Sequence, residues 1–180
     1  HGDDGLEYLF GVYCRDGKGA FEFKPFWGHT RAEEKQAFER FMDWLDQRRR
    51  KHPGLHVYHY AAYEDTALKK LSGRHATREA LLDTFLRERR LVDLYKVVRE
   101  SIRASTPSYS IKDIEKFYRE AREGDVQTAG ASIVYYERYL ETGDESLLEK
   151  IERYNEDDVV SLRLLHQWLL AQRPPGMPWR

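Results

Sequence analysis

Two short stretches carry the residue types that chemistry needs. In Tyr154-Asn155-Glu156-Asp157-Asp158-Val159 a run of acids lies inside what reads as one long helix. At 100° per residue, Leu147, Ile151, Tyr154, Asp158, Leu162, Leu165 and Leu169 share one stripe, the i, i+3/i+4 spacing of a core-facing surface. Asp158 sits near its centre. An ionised carboxylate taken out of water is costly unless it is paired, hydrogen-bonded or bound to a metal. Either the stripe opens onto a cleft at Asp158, or a cation meets it there. Glu156 and Asp157 point away from the stripe and read as a solvated helix face.

The second stretch is HVYHYAAYEDTAL, residues 56–68, a strand that runs into a loop with Glu64 at the start of the next helix. A strand end fixes the position of the loop beyond it, and catalytic carboxylates commonly sit there. The dipole of a helix N-terminus also favours acids in the first turn. Glu64 therefore gains functional meaning only when it is joined to Tyr154 and Asp158.

The elements that must position these residues follow from pattern. Residues 6–14 and 20–27 are aromatic and β-branched runs around the turn residues 15–19, a hairpin. Phe38, Phe41, Met42 and Leu45 predict a helix over 31–50, with Thr30 and Glu33 spaced as a capping box. Its basic end, residues 48–51, is either solvated or in contact with phosphate. Residues 55–60 read as a strand and 63–71 as a helix. From Ala76 on the chain is mostly helical, with a brief extended stretch at 90–94, a loop at 105–110, and helices over 111–118, 129–140 and the segment containing Asp158. The pattern predicts a mixed sheet flanked by helices, with a helix-rich C-terminal half. One domain is expected over 1–171, followed by an extended Pro-rich tail over 172–180.

Composition narrows the function classes. Thirty basic and 31 acidic side chains leave a net charge of -1, so any polyanion site must be local. The single cysteine, Cys14, suits a reducing compartment and reads as a core residue. No apolar run reaches the ~18 residues of a membrane span, and the N-terminal residues lack a signal-peptide pattern. The expectation is a soluble, cytoplasmic protein. No Gly-rich phosphate loop and no Cys/His cluster of zinc spacing is present.

In sequence order, LEYLFGV, VYHYAAYE, VDLYKVVR, SYSIKDIE and YNEDDV resemble the motifs of YprB-like, RecB-associated nuclease domains. These belong to the DnaQ-like, DEDD-type 3′ to 5′ exonucleases of the ribonuclease-H-like superfamily. The resemblance spans residues 6–168 and implies a ribonuclease-H-like fold. It assigns Asp158 as the acidic metal ligand of a third motif, Tyr154 as the residue that orients the attacking water, and Glu64 as the acid of a second motif. It implies a site for two Mg²⁺ or Mn²⁺ ions held by hard oxygen ligands. A first, Asp-x-Glu motif on a central strand is expected before LEYLFGV and is not found upstream of Leu6, so the residues at hand carry only part of the acidic set. The implied substrate is nucleic acid, single-stranded DNA ahead of RNA, and the implied company is a helicase or RecB-type module.

Other positions have two readings. Lys112 would hold a phosphate or lie on the surface, and Tyr109 would stack on a base or pack in the core. Asp93 would support the metal ligands or cap a helix. His59 would orient a ligand or satisfy a buried hydrogen bond. Tyr135, Tyr136 and Tyr139 read as helix packing. Two rivals to an active enzyme are an inactive module that binds nucleic acid or a protein, and a helical interaction domain in which Asp158 merely pairs with a basic neighbour.

Overall fold

The computed structural model describes residues 5–120 and 129–176. It has four strands and seven helices among these residues. Strands β1 (Leu9–Arg15) and β2 (Phe21–Trp27) form the expected hairpin as one two-stranded sheet. The Asp16 carboxylate organises its turn, accepting from the N–H groups of Lys18 and Ala20, each at 2.8 Å. Strands β3 (Val57–His59) and β4 (Leu91–Asp93) form a second, parallel pair. The chain is thus α/β with a helix-rich C-terminal half, as its pattern predicts, and its strands pair two by two.

Two compact units divide the chain, and the division passes through both strands of the hairpin. The first unit comprises residues 1–10 and 25–103. Its helices are α1 (Arg31–Lys51), α2 (Tyr63–His75), α3 (Glu79–Arg87) and α4 (Leu94–Ser101). The apolar face of α1, with Phe38 and Met42 fully enclosed, packs its core together with Leu71, Phe85 and Val98. Each such side chain contributes roughly 1.5–3 kcal/mol of burial.

Thr30 caps α1, its hydroxyl accepting from Glu33 N–H at 3.2 Å, while the Glu33 carboxylate reaches back to His29 N–H at 2.7 Å. That is the predicted capping box, moved one residue outward on its return arm. Helix α2 runs to His75, beyond the expected residue 71. It is closed by Ala76 in a left-handed conformation (φ 46°), where no glycine marks the stop. At the end of α1 the basic run is engaged: Arg49 and Arg50 reach Asp46 at 2.8 and 2.6 Å, and Arg48 lies over the Trp44 ring. The phosphate reading of that run has no support in this arrangement.

One carboxylate in this unit is wholly enclosed. Glu34 has no exposed surface and accepts from Glu7 N–H at 2.6 Å, His75 Nε2–H at 2.7 Å and Arg31 at 3.0 Å, with Arg74 at 3.4 Å. The same two arginines donate to the Gly5 carbonyl. The cluster ties residues 5–7 to α1 and α2.

Gly28 shows how closely the hairpin meets α1. A Cβ at this position would lie 2.5–2.6 Å from backbone atoms of Glu33 and Glu34. Backbone cannot swing aside as a side chain can, so Gly28→Ala is expected to lower stability by about 1–3 kcal/mol. A thermal melt of the variant beside the parent checks this, and an unchanged melting temperature would refute the close approach.

The second unit comprises residues 11–24 and 104–180. It contains α5 (Ile111–Ile114), a 3₁₀ turn (Glu115–Phe117), α6 (Ala129–Thr142) and α7 (Glu145–Gln172). Gly143, with φ 70°, makes the tight turn between α6 and α7, and Asp144 caps α7 through Ser146 N–H at 3.0 Å. Ile114, Tyr136, Leu147, Ile151 and Leu165 are buried in this unit. Tyr136 is a packing residue, as its spacing predicts. The expected tail over 172–180 begins on the last helical residue, and its part beyond 176 lies outside the described residues. No helix among the described residues is long and apolar enough to cross a membrane.

Candidate active site

In the first unit, the register of β3 and β4 sets Val57 opposite Leu91, Tyr58 opposite Val92 and His59 opposite Asp93. Beyond His59 the chain turns through Ala61, whose φ of 68° lies in the left-handed region that alanine enters only at a cost. Asp93 accounts for it. One oxygen of its carboxylate accepts from Ala61 N–H at 2.9 Å and from Tyr95 N–H at 2.9 Å. Asp93 is therefore the cap of α4, and it also holds the loop that precedes Glu64.

His59 Nδ1–H donates to the Ala61 carbonyl at 2.8 Å and stands 3.7 Å from Glu64 Oε2. Its side chain is 9% exposed and that of Glu64 is 50% exposed. Burial works against the charged imidazole. The Glu64 carboxylate, the Ala61 carbonyl and the negative charges of Glu64 and Asp93 outweigh it, holding the ring above the ordinary histidine pKa. Asp93, Ala61, His59 and Glu64 thus form one connected set at the end of the parallel pair. Next to Glu64, the Tyr63 hydroxyl donates to both oxygens of Glu7, at 3.0 and 2.8 Å. Partial burial of the hydroxyl and the Glu7 carboxylate push that phenol well up.

Because the folded pKa of His59 is raised, the stability it contributes is fully present below the unfolded value near 6.5 and is lost as pH rises through the folded value. Glu64→Gln removes the main attraction. The His59 ring, followed by its NMR signal during a pH titration, is expected to titrate at lower pH in the variant. An unmoved His59 would break the link between the two side chains.

In the second unit, α7 carries Tyr154 and Asp158 one turn apart, both partly buried. Fully enclosed Ile151 and Leu165 lie on either side of them along the helix. Of the predicted apolar stripe Leu147, Ile151 and Leu165 are buried, and Tyr154, Asp158, Leu162 and Leu169 are partly buried. Lys112, on α5, places its ammonium 5.8 Å from the centre of the Tyr154 ring, so it is brought to the candidate tyrosine and does not point idly outward. Tyr109 is partly buried in the preceding loop, with its hydroxyl 3.5 Å from Ala104 N–H.

Two features of this unit were not foreseen. Asp157, expected on a solvated face, accepts from Arg119 Nη2 at 2.8 Å and is only 32% exposed. Arg119 comes from a segment 38 residues earlier, a partner that helical periodicity has no means of revealing. Ser161 is fully enclosed and bonds Glu115 Oε2 and the Tyr118 hydroxyl, each at 3.0 Å. The neighbour of Tyr154 explains a glycine in LEYLFGV. A Cβ at Gly11 would lie 1.7 Å from Asn155 Oδ1 and 2.8 Å from the Phe23 ring, so any larger residue there requires both side chains to shift.

The structure brings His59, Asp93 and Glu64 together in one unit, and Lys112 and Tyr154 together in the other, where Asp158 also lies. Among the described residues no three His, Cys, Asp or Glu side chains are gathered as a metal centre. In kind, the carboxylates of Glu64 and Asp158 fit Mg²⁺ or Mn²⁺, which take hard oxygen donors. In number, they are two.

Residues 1–170 match the family model RNase_H_2, described as RNase H superfamily. No curated protein and no solved structure matches the chain. The matched span contains His59 and Glu64 of the first unit and Tyr154 and Asp158 of the second. Its nuclease-type fold suggests nucleic acid as the partner, and RNase H-like nucleases generally use divalent metals. By its sequence over nearly its whole length, the chain belongs to the RNase_H_2 family of the RNase H superfamily.

Proposed function

We propose that residues 1–171 act as one metal-dependent nuclease domain that removes nucleotides in the 3′ to 5′ direction from single-stranded ends, DNA ahead of RNA. Within the superfamily we place it in the YprB-like, RecB-associated branch, working beside a helicase or RecB-type module. The observation that carries this reading is the family match over residues 1–170, combined with Tyr154 and Asp158 one turn apart and partly buried on the core-facing stripe of α7. Glu64 and Asp158 would hold the divalent ions, which when bound supply charge to the scissile phosphate and the leaving 3′ oxygen.

The chain's own residues do the rest. The Tyr154 hydroxyl holds the attacking water by a hydrogen bond, and the Lys112 ammonium near its ring favours a neighbouring phosphate by charge. Tyr109 supplies an aromatic face beside that lysine for a base. His59 stands beside Glu64 and orients it, and Asp93 fixes the loop between them.

The test is hydrolysis of a 5′-labelled single-stranded oligonucleotide by the full-length protein with Mn²⁺ or Mg²⁺. A ladder shortening from the 3′ end, dependent on the ion, is the expected result. Binding of the oligonucleotide without hydrolysis would instead mark a domain that kept the fold and lost the chemistry.

A further inference from the structure

Several described arginines are answered by a carboxylate: Arg49 and Arg50 by Asp46, Arg78 by Asp43, Arg119 by Asp157. Arg163, on α7, is not. Its guanidinium lies over the Phe21 ring, 4.2 Å from the centre, and 5.9 Å from the centre of the Tyr13 ring, which itself stacks on Phe21 at 5.4 Å. Its Nε is buried and has no hydrogen-bond partner among the described residues. A second guanidinium, that of Arg15, lies 4.8 Å from the centre of the same Phe21 ring.

This arrangement is unfavourable on its own terms. Cation–π contact uses the flat face of a guanidinium and leaves the N–H donors around its rim unspent. An enclosed donor with no acceptor is costly, and so are two like charges brought to one ring. A phosphodiester, doubly accepting and negatively charged, would meet the outer Nη groups of the Arg163 fork and offset the two cationic charges, while the enclosed Nε stays out of its reach.

We propose that Arg163, laid on Phe21 and joined there by Arg15, is a binding site for one phosphodiester of the nucleic-acid backbone, separate from the site containing Tyr154 and Asp158. The site reads no base, because phosphate contacts position a strand without reading its sequence. It gives a chain of net charge -1 the local positive field that its overall composition lacks. The inference rests on the reading of the protein as one that acts on nucleic acid.

The experiment measures anisotropy of a fluorescein-labelled single-stranded 20-mer with the full-length protein in EDTA, so that nothing is cleaved, across a salt series. Arg163→Gln is expected to weaken binding about tenfold, by a charged hydrogen bond's worth. It should also flatten the plot of log affinity against log salt by about 0.7, the share of one phosphate on a single strand. Arg163→Lys keeps the slope and only part of the affinity. Arg15→Gln, at an exposed position of the hairpin, weakens binding several-fold and serves even where the Arg163 variants fold poorly. Parental affinity and slope in a folded Arg163→Gln protein would overturn the site and leave the nuclease reading intact. No binding by the parent protein in EDTA would overturn the site, and the nuclease reading then stands or falls on the metal-dependent hydrolysis test.

Discussion

Replacing Asp158 by alanine in the full-length protein is expected to lower oligonucleotide hydrolysis by about a thousandfold or more while leaving the melting temperature near that of the parent. The residue is partly buried where Ile151 and Leu165, on either side along α7, are fully enclosed. A carboxylate left there by a chain that could have placed leucine serves something other than packing. Removing one preorganised electrostatic group from an active site costs roughly 10²–10³ in rate, and loss of a metal-holding carboxylate should sit at or beyond the upper end. Glu64→Gln should fall in the same range, since amide oxygen binds Mg²⁺ or Mn²⁺ more weakly than carboxylate. Steady-state hydrolysis alongside circular-dichroism melts separates the cases. A variant that is equally active, or one inactive only because it unfolds, would remove Asp158 from the chemistry.

The largest effect on stability is expected at Glu34. Its carboxylate is enclosed among Arg31, Arg74, His75 and the Glu7 N–H. Burial pushes its pKa up, but the Glu7 N–H, the His75 ring and Arg31 outweigh burial and hold it below the usual carboxylate value of 4.5. Glu34→Gln keeps the shape and removes the charge, stranding the cations around it. Breaking one side of such a buried set costs roughly 3–5 kcal/mol. In a protein of this size that corresponds to about 6–20 °C in melting temperature.

The pH dependence has a definite sign. A depressed folded pKa means the stabilisation is present above the unfolded value of about 4.5 and is lost as pH falls through the folded value. The gap between parent and Glu34→Gln, read by chemical denaturation, should therefore be wide at neutral pH and close in acid. A gap that is the same at pH 7 and pH 3 would show that shape, not charge, is what Glu34 supplies.

Where local pattern decides structure, the sequence is readable. Helix α7 repeats its apolar spacing over many turns, Thr30 stands three residues before Glu33, and five turn residues separate two aromatic runs; each became the element its chemistry dictates. The His59–Glu64 pairing lies within one strand-to-helix turn and is equally local. Burial of Glu34 is not. It sits in a first helical turn, where acids usually meet water, and the groups that enclose it stand 27, 40 and 41 residues away. The covering of Asp157 is hidden for the same reason, because the helical wheel shows which side of a helix a residue occupies and not which distant arginine covers that side. Asp93 escaped in part because a helix cap explains it completely until its second acceptor role, toward Ala61, is seen.

The parallel pairing of β3 with β4 bears on the order in which the protein assembles. Its three rungs join residues 57–59 to 91–93, and the intervening chain must close on itself before any of them forms. Helices α6 and α7 need only a short turn to meet. Tyr154 and Asp158 therefore stand on a scaffold that forms from near neighbours, whereas the loop behind Glu64 waits for a distant strand to arrive. Glu64 precedes Asp93 by 29 residues, so a chain emerging from synthesis holds His59 and Glu64 well before Asp93 exists to fix the loop between them, and that loop is made early and set late.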